Sequence, residues 1–108
     1  MVKREELEQI LLELLKKKRI SVDKIVVFGS YVKDKIRPDS DMDIIIVSKD
    51  FRNKDIFERV VLTRGIHREM VQRFRIPFDI MYYSDEEWER GYSLIINTAK
   101  ETGEIIYG

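Results

Sequence analysis

The chain has 108 residues, enough for one small domain with one core, and its 20 basic and 20 acidic side chains cancel. A cancelled charge argues against whole-surface attraction to nucleic acid or membrane, and the lack of cysteine excludes disulfides and thiolate metal sites. No run approaches the roughly 18 apolar residues of a membrane span, and the charged, periodic start is not that of a signal peptide, so a soluble cytoplasmic protein with one domain over 1–108 is expected.

Leu7, Ile10, Leu11, Leu14 and Leu15 recur at helical spacing and predict an amphipathic helix over about residues 3–18. Lys16, Lys17, Lys18 and Arg19 load its C-terminal end, where positive charge complements the helix dipole; a solvated helix end is the reading preferred over a nucleic-acid patch. Ile25-Val26-Val27-Phe28 is a short continuous apolar run, the mark of a strand buried on both faces, and it stops at Gly29-Ser30. Residues 31–37 have room for a short helix before the turn Pro38-Asp39-Ser40, and Ile44-Ile45-Ile46-Val47 is a second buried strand entered through Asp41 and Asp43.

From Lys54 to Arg75 the pattern is helical again, with Ile56, Val60, Thr63, His67, Met70, Val71 and Phe74 along one stripe. Leu62 and Ile66 fall off that stripe and are expected at the surface as a weak candidate partner contact. His67, the only histidine, lies on the apolar side, and a structural role is preferred to catalysis. Pro77 opens a third strand over Phe78 to Tyr83, where Tyr82 and Tyr83 either edge a site or finish the sheet. Ser84 with Glu87 three residues on has capping-box form and predicts a helix with Trp88, Tyr92, Ile95 and Ala99 on one face, Trp88 and Tyr92 belonging to the core. Gly103 is a plausible stop, and Glu104 to Tyr107 a short last strand. The order is α-β-(α)-β-α-β-α-β, which predicts an α/β or α+β domain with helices against a small mixed sheet.

Polar residues at the start of a buried strand carry the chemical information. Asp41 and Asp43, two apart on a strand, point to one face about 6–7 Å apart. Like charges beside an apolar strand repel and lose hydration, and a hard divalent cation with oxygen preference relieves both costs. Asp79, an isolated acid in the apolar stretch Ile76 to Met81, is the third member if its strand pairs beside that of Asp41 and Asp43. Three acids and two metal ions about 3.5–4 Å apart form the two-metal arrangement for displacement at phosphorus, with Asp79 a candidate acceptor of the attacking hydroxyl's proton. Strand-end aspartates also cap loops or pair with lysine, so Asp41 and Asp43 alone are as often structural as functional. A calcium loop beginning at Asp39 is rejected, because Ile44 stands where glycine is required and Asp50 where glutamate is.

Gly29-Ser30 directly follows a buried strand. Glycine permits a sharp turn and close approach to a ligand, while serine and the exposed amides can face an anion. Lys33, Lys35 and Arg37 follow in the same loop as candidate phosphate contacts, and the absence of Gly-Lys-Ser/Thr excludes a Walker A loop.

Taken together, Phe28-Gly29-Ser30, ten intervening residues and Asp41-Met42-Asp43 resemble the signature of the DNA polymerase β-like nucleotidyltransferases. The spacing, the context Arg37-Pro38-Asp39-Ser40-Asp41 and the ending Glu101 to Tyr107 resemble the minimal nucleotidyltransferases in particular, over nearly the whole chain. The resemblance implies a palm-like nucleotidyltransferase domain, Gly29 and Ser30 as phosphate contacts, Asp41 and Asp43 as metal ligands, and Asp79 as the third carboxylate. It further implies Mg²⁺, a nucleoside triphosphate such as ATP, and a small helical HEPN protein as partner, with the chain acting as an antitoxin that transfers AMP onto its toxin. Lys33 and Asp34 depart from the arginine and glycine common in such proteins, which puts the catalytic rate in doubt more than the site. So small a domain has no second unit for an acceptor, which points to a macromolecular acceptor hydroxyl, a nucleic acid being the less favoured. Two other classes remain open: a binding module that neutralises a helical partner by occlusion, and a nucleotide-sensing subunit.

Overall fold

The computed structural model describes residues 2–29, 41–91 and 93–108. Helix α1 (Arg4–Lys17) leads into strand β1 (Lys24–Phe28), and β2 (Met42–Val47) follows. A short 3₁₀ turn (Lys49–Phe51) then precedes α2 (Ile56–Leu62), α3 (Ile66–Phe74), β3 (Phe78–Tyr83), α4 (Asp85–Arg90), α5 (Leu94–Thr102) and β4 (Glu104–Tyr107). The expected short helix over 31–37 lies outside the described residues.

The four strands form one mixed sheet in the order β3-β2-β1-β4. β1 runs antiparallel to both β2 and β4, whereas β2 and β3 are parallel, joined by the α2–α3 crossover. Alternate residues of the apolar runs serve two cores. Ile25, Val27, Met42, Ile44, Ile46 and Phe78 pack with Leu7, Leu11, Leu14 and Leu15 of α1 and with Ile66 and Met70 of α3. Val26, Phe28, Ile45 and Val47 pack on the other face with Trp88 of α4 and Ile96 and Ala99 of α5. This two-sided burial explains why β1 and β2 read as unbroken apolar runs. Each of the four buried α1 leucines stabilises by about 2 kcal/mol, so the helix is held by its stripe rather than by propensity.

Two long helical patterns of the sequence are each broken by glycine. Gly65 adopts φ 90° and separates α2 from α3, and Gly91 adopts φ 61° and separates α4 from α5, which Ser93 recaps by accepting from the Ile96 amide. Both are left-handed conformations that an L side chain disfavours, so the backbone turns at these residues. The side of the helices that meets the core also differs from the expected stripe. Ile66 is 1% exposed and Leu62 is half-buried against the core, so the proposed surface contact at this pair is overturned. Instead Ile56 and Val60, expected inside, are exposed, as are Phe57 and Val61. After Gly91 the same correction applies, since Ile96 and not Ile95 enters the core.

The predicted capping box is present: Ser84 accepts from the Glu87 amide at 3.1 Å, and Glu87 accepts from that of Ser84 at 2.8 Å. A second one, Asp55 with Glu58, starts α2. No helix among the described residues is long and apolar enough to cross a membrane.

Candidate active site

Register places the acids. Phe28 of β1 lies opposite Asp43 of β2, and Asp43 lies opposite Asp79 of β3, so one row across the sheet carries the end of β1 and both carboxylates. Neighbouring strands are about 4.8 Å apart, and residues paired in register share a face. Asp43 and Asp79 therefore lie side by side on the face covered by α4 and α5, at the margin where that cover ends. Asp41, two residues before Asp43, immediately precedes the strand and is exposed, as is Asp79. Asp43 is half-buried between them.

The electrostatics follow from this arrangement. The Asp43 carboxyl is raised above its ordinary 3.8, first by burial, then by the negative charge of Asp79 and then by that of Asp41. Among the described residues no three acidic or imidazole groups are gathered into a finished metal cage. Mg²⁺ takes only one or two carboxylates from a protein, completing its octahedron with phosphate oxygens and water. An all-oxygen set whose middle member feels both neighbours suits such a hard cation.

Gly29 closes β1 at φ 85°, and a Cβ built on it would run into the Asp43 carboxylate oxygen. The backbone can pass this close to the acid only where no side chain exists, so glycine is required twice over, by conformation and by space. Ser30, Lys33 and Arg37, the other expected phosphate contacts, lie outside the described residues, as do Asp34 and Tyr92.

Other expectations resolve by register and contact. Tyr82 and Tyr83 pair with Ile46 and Val47, at the opposite end of the strand from Asp79, so they finish the sheet and do not edge the acids. Tyr82 meets Phe51 edge to face at 5.5 Å, and burial pushes its phenol up to about 12 against the opposing effect of the Thr63 hydroxyl. Trp88 is a core residue, with the Lys100 ammonium 5.3 Å from its ring centroid. His67 is exposed, and its Nε2 lies 2.8 Å from the Phe78 carbonyl. A carbonyl only accepts, so Nε2 carries the proton, and the histidine steadies the residue just before Asp79. Lys16, Lys17, Lys18 and Arg19 are solvated, as expected.

The residue that sequence reading missed is Arg59. Its Nη1 donates to the Tyr82 carbonyl at 2.9 Å and lies 2.7 Å from Glu87, its Nη2 donates to the Phe51 carbonyl at 2.9 Å, and its Nε to that of Lys54 at 3.1 Å. Only 13% of the side chain is exposed. One guanidinium thus ties α2 and the 3₁₀ turn to the far end of the strand that carries Asp79. Its partners are 5 to 28 residues away, so no local pattern marks it.

The profile of the nucleotidyltransferase domain family matches residues 5–106. The chain belongs to this family. The expected enzyme class and mixed α/β fold are thereby borne out for this nucleotidyltransferase. Sequence comparison with characterised proteins gives no match. Among solved structures, a chain of a toxin–antitoxin complex with AMP-PNP superposes with TM-score 0.65 at 20% identity, covering 94% of this nucleotidyltransferase and 73% of that chain. A mutant MntA–HpeT toxin–antitoxin complex gives 0.66 at 17%, over 99% and 74%. A Shewanella oneidensis complex of a tri-AMPylated HEPN toxin with an MNT antitoxin gives 0.59 at 19%, over 98% and 73%. At such identities the likeness establishes the fold.

Proposed function

We propose that this chain is a minimal nucleotidyltransferase, one domain over 1–108, that transfers AMP from ATP with Mg²⁺ to a hydroxyl of a macromolecular acceptor, and that its acceptor is a HEPN-type toxin which it neutralises as antitoxin. The observation that carries this reading is the row of Asp43 and Asp79 in register, with Asp41 beside it and Gly29 drawn up against Asp43. The AMP-PNP in one structural neighbour and the AMPylated toxin in another support the choice of nucleotide and acceptor.

Asp41, Asp43 and Asp79 would hold the metal ions, which polarise the triphosphate and lower the pKa of an attacking hydroxyl when bound. The chain's own contribution is positional. The sheet fixes two carboxylates one strand apart, and the Gly29 backbone, drawn up against Asp43, would leave room for phosphate oxygens beside them. Ser30, Lys33 and Arg37 are assigned as further phosphate contacts on the sequence alone. In this reading Asp79, exposed on the outer strand, accepts the proton of an acceptor hydroxyl arriving from solvent.

The test is incubation of the protein with α-labelled ATP, Mg²⁺ and a helical toxin encoded beside it. Label on the toxin, lost with Asp41→Asn or Asp43→Asn, is the expected result. Full neutralisation of the toxin by both variants without label would overturn transfer in favour of simple occlusion.

A further inference from the structure

We propose that His67 is the positioning residue of the acid row: by holding the Phe78 carbonyl it fixes the peptide plane from which Asp79 extends. This role rests on the reading of Asp41, Asp43 and Asp79 as metal ligands.

Asp43 and Asp79 differ in what aims them. Asp43 lies on β2, with a strand on either side and the Gly29 backbone against its carboxylate. Asp79 lies on the outer strand, paired on one side alone, and is exposed. Its direction therefore depends on the backbone that carries it. The ladder turns the amides and carbonyls of odd-numbered β3 residues inward, as the Met42 amide on the Pro77 oxygen shows, so β2 holds the Asp79 amide. The Phe78 carbonyl points the other way.

That carbonyl and the Asp79 amide belong to one planar peptide unit. His67 Nε2 donates to the carbonyl at 2.8 Å. The unit is thus held at both ends, by β2 through its nitrogen and by His67 through its oxygen. The donor has a fixed base, since Ile66 and Met70 on the same helix are 1% and 0% exposed and anchor α3 in the core. Phe78 is itself 5% exposed, which gives water little access to its carbonyl. Removing the donor leaves an acceptor without a partner, and the peptide turns toward solvent to find one. With a carboxylate about 3 Å from its Cα, a tilt of about 20° displaces it by about 1 Å. Mg²⁺ holds oxygen ligands at about 2.0–2.1 Å in a near-ideal octahedron, and a misplacement of about 1 Å is enough to cost roughly 100-fold. Arg59 holds the same edge at the Tyr82 carbonyl, but at the end away from the acids.

Two variants separate the donor from the ring. His67→Phe keeps a ring without an N–H, and His67→Gln keeps an N–H near the place of Nε2. Mn²⁺ alone, titrated against the full chain and followed by electron paramagnetic resonance of the free ion, should bind about tenfold more weakly to His67→Phe and nearly as wild type to His67→Gln. In transfer of label from ATP to the toxin, His67→Phe should lower kcat on the order of 10–100-fold with KM for ATP within about twofold, because Asp79 serves the attacking hydroxyl rather than the triphosphate. Arg59→Lys is the contrast: it should melt below wild type yet bind Mn²⁺ within about twofold of it. Unchanged Mn²⁺ affinity and kcat in His67→Phe overturn the proposal, as does His67→Gln no better than His67→Phe. Arg59→Lys as harmful to Mn²⁺ binding as His67→Phe also overturns it, since the loss is then one of general stability. A wild type that binds no Mn²⁺ and transfers no label refutes the metal-site reading, and the positioning role with it.

Discussion

Replacing Asp43 with asparagine should stabilise the metal-free protein while abolishing transfer. Asp43 and Asp79 are lateral neighbours about 5 Å apart, so in a water-like dielectric their repulsion is about 0.8 kcal/mol, and Asp41 at about 6.5 Å adds about 0.6 kcal/mol. Physiological salt reduces this roughly by half, because the Debye length of about 8 Å is close to these separations. Relief of carboxylate desolvation restores part of the difference, for a net gain of about 1 kcal/mol, or roughly 4–8 °C in a domain of this size. The sign is fixed by linkage. A carboxyl raised above 3.8 in the folded state keeps its proton longer there than when unfolded, so wild-type stability falls as pH rises from the ordinary carboxylate range through the raised value. The advantage of Asp43→Asn should thus be full at neutral pH, vanish in acid where Asp43 is already protonated, and shrink in high salt. Thermal melts in a chelator at several pH values and salt concentrations measure it, and added Mg²⁺ should raise the wild type alone. A variant that melts below wild type at neutral pH in chelator, or a difference flat with pH, would refute the electrostatic account of the row.

Gly29→Ala should cost about 1–3 kcal/mol by combining a left-handed backbone with a Cβ pressed into the Asp43 carboxylate, and transfer should fall further than the melting shift implies; paired melts and label transfer check this. Arg59→Ala strips a mostly buried guanidinium from three carbonyls and from Glu87, and urea titration should show a loss of about 2–4 kcal/mol, with Arg59→Lys recovering only part because an ammonium lacks the fork.

The strands and their chemistry were legible because their signals are local and their environment is two-sided. Ile25 to Phe28 and Ile44 to Val47 are apolar without alternation, and the acids interrupt such runs where no core residue would. The register joining Asp43 to Asp79 was a condition in the sequence and became an observation only through the β2–β3 pairing. Helix continuity failed at Gly65 and Gly91 because periodicity persists across a glycine whose φ turns positive, and the sequence does not mark which glycines do so. Leu62 and Ile66 were misplaced because α2 carries apolar residues on both sides, and spacing alone does not say which side meets the core. Arg59 and the Gly29–Asp43 approach are tertiary facts, made by residues far apart in sequence, and no window around either reveals them.

The outer strand β3 has one more property. Its odd-numbered residues direct their amides and carbonyls to β2, as the Met42 and Ser48 amides bonding to Pro77 and Tyr83 oxygens show. Phe78 and Tyr82 then turn theirs outward, and the acceptors meet His67 and Arg59. Two side chains of the crossover helices thus occupy hydrogen-bonding places that an invading strand would need. The same margin that leaves Asp79 exposed thus resists sheet growth, so the protein keeps an accessible rim without the aggregation hazard of a bare one.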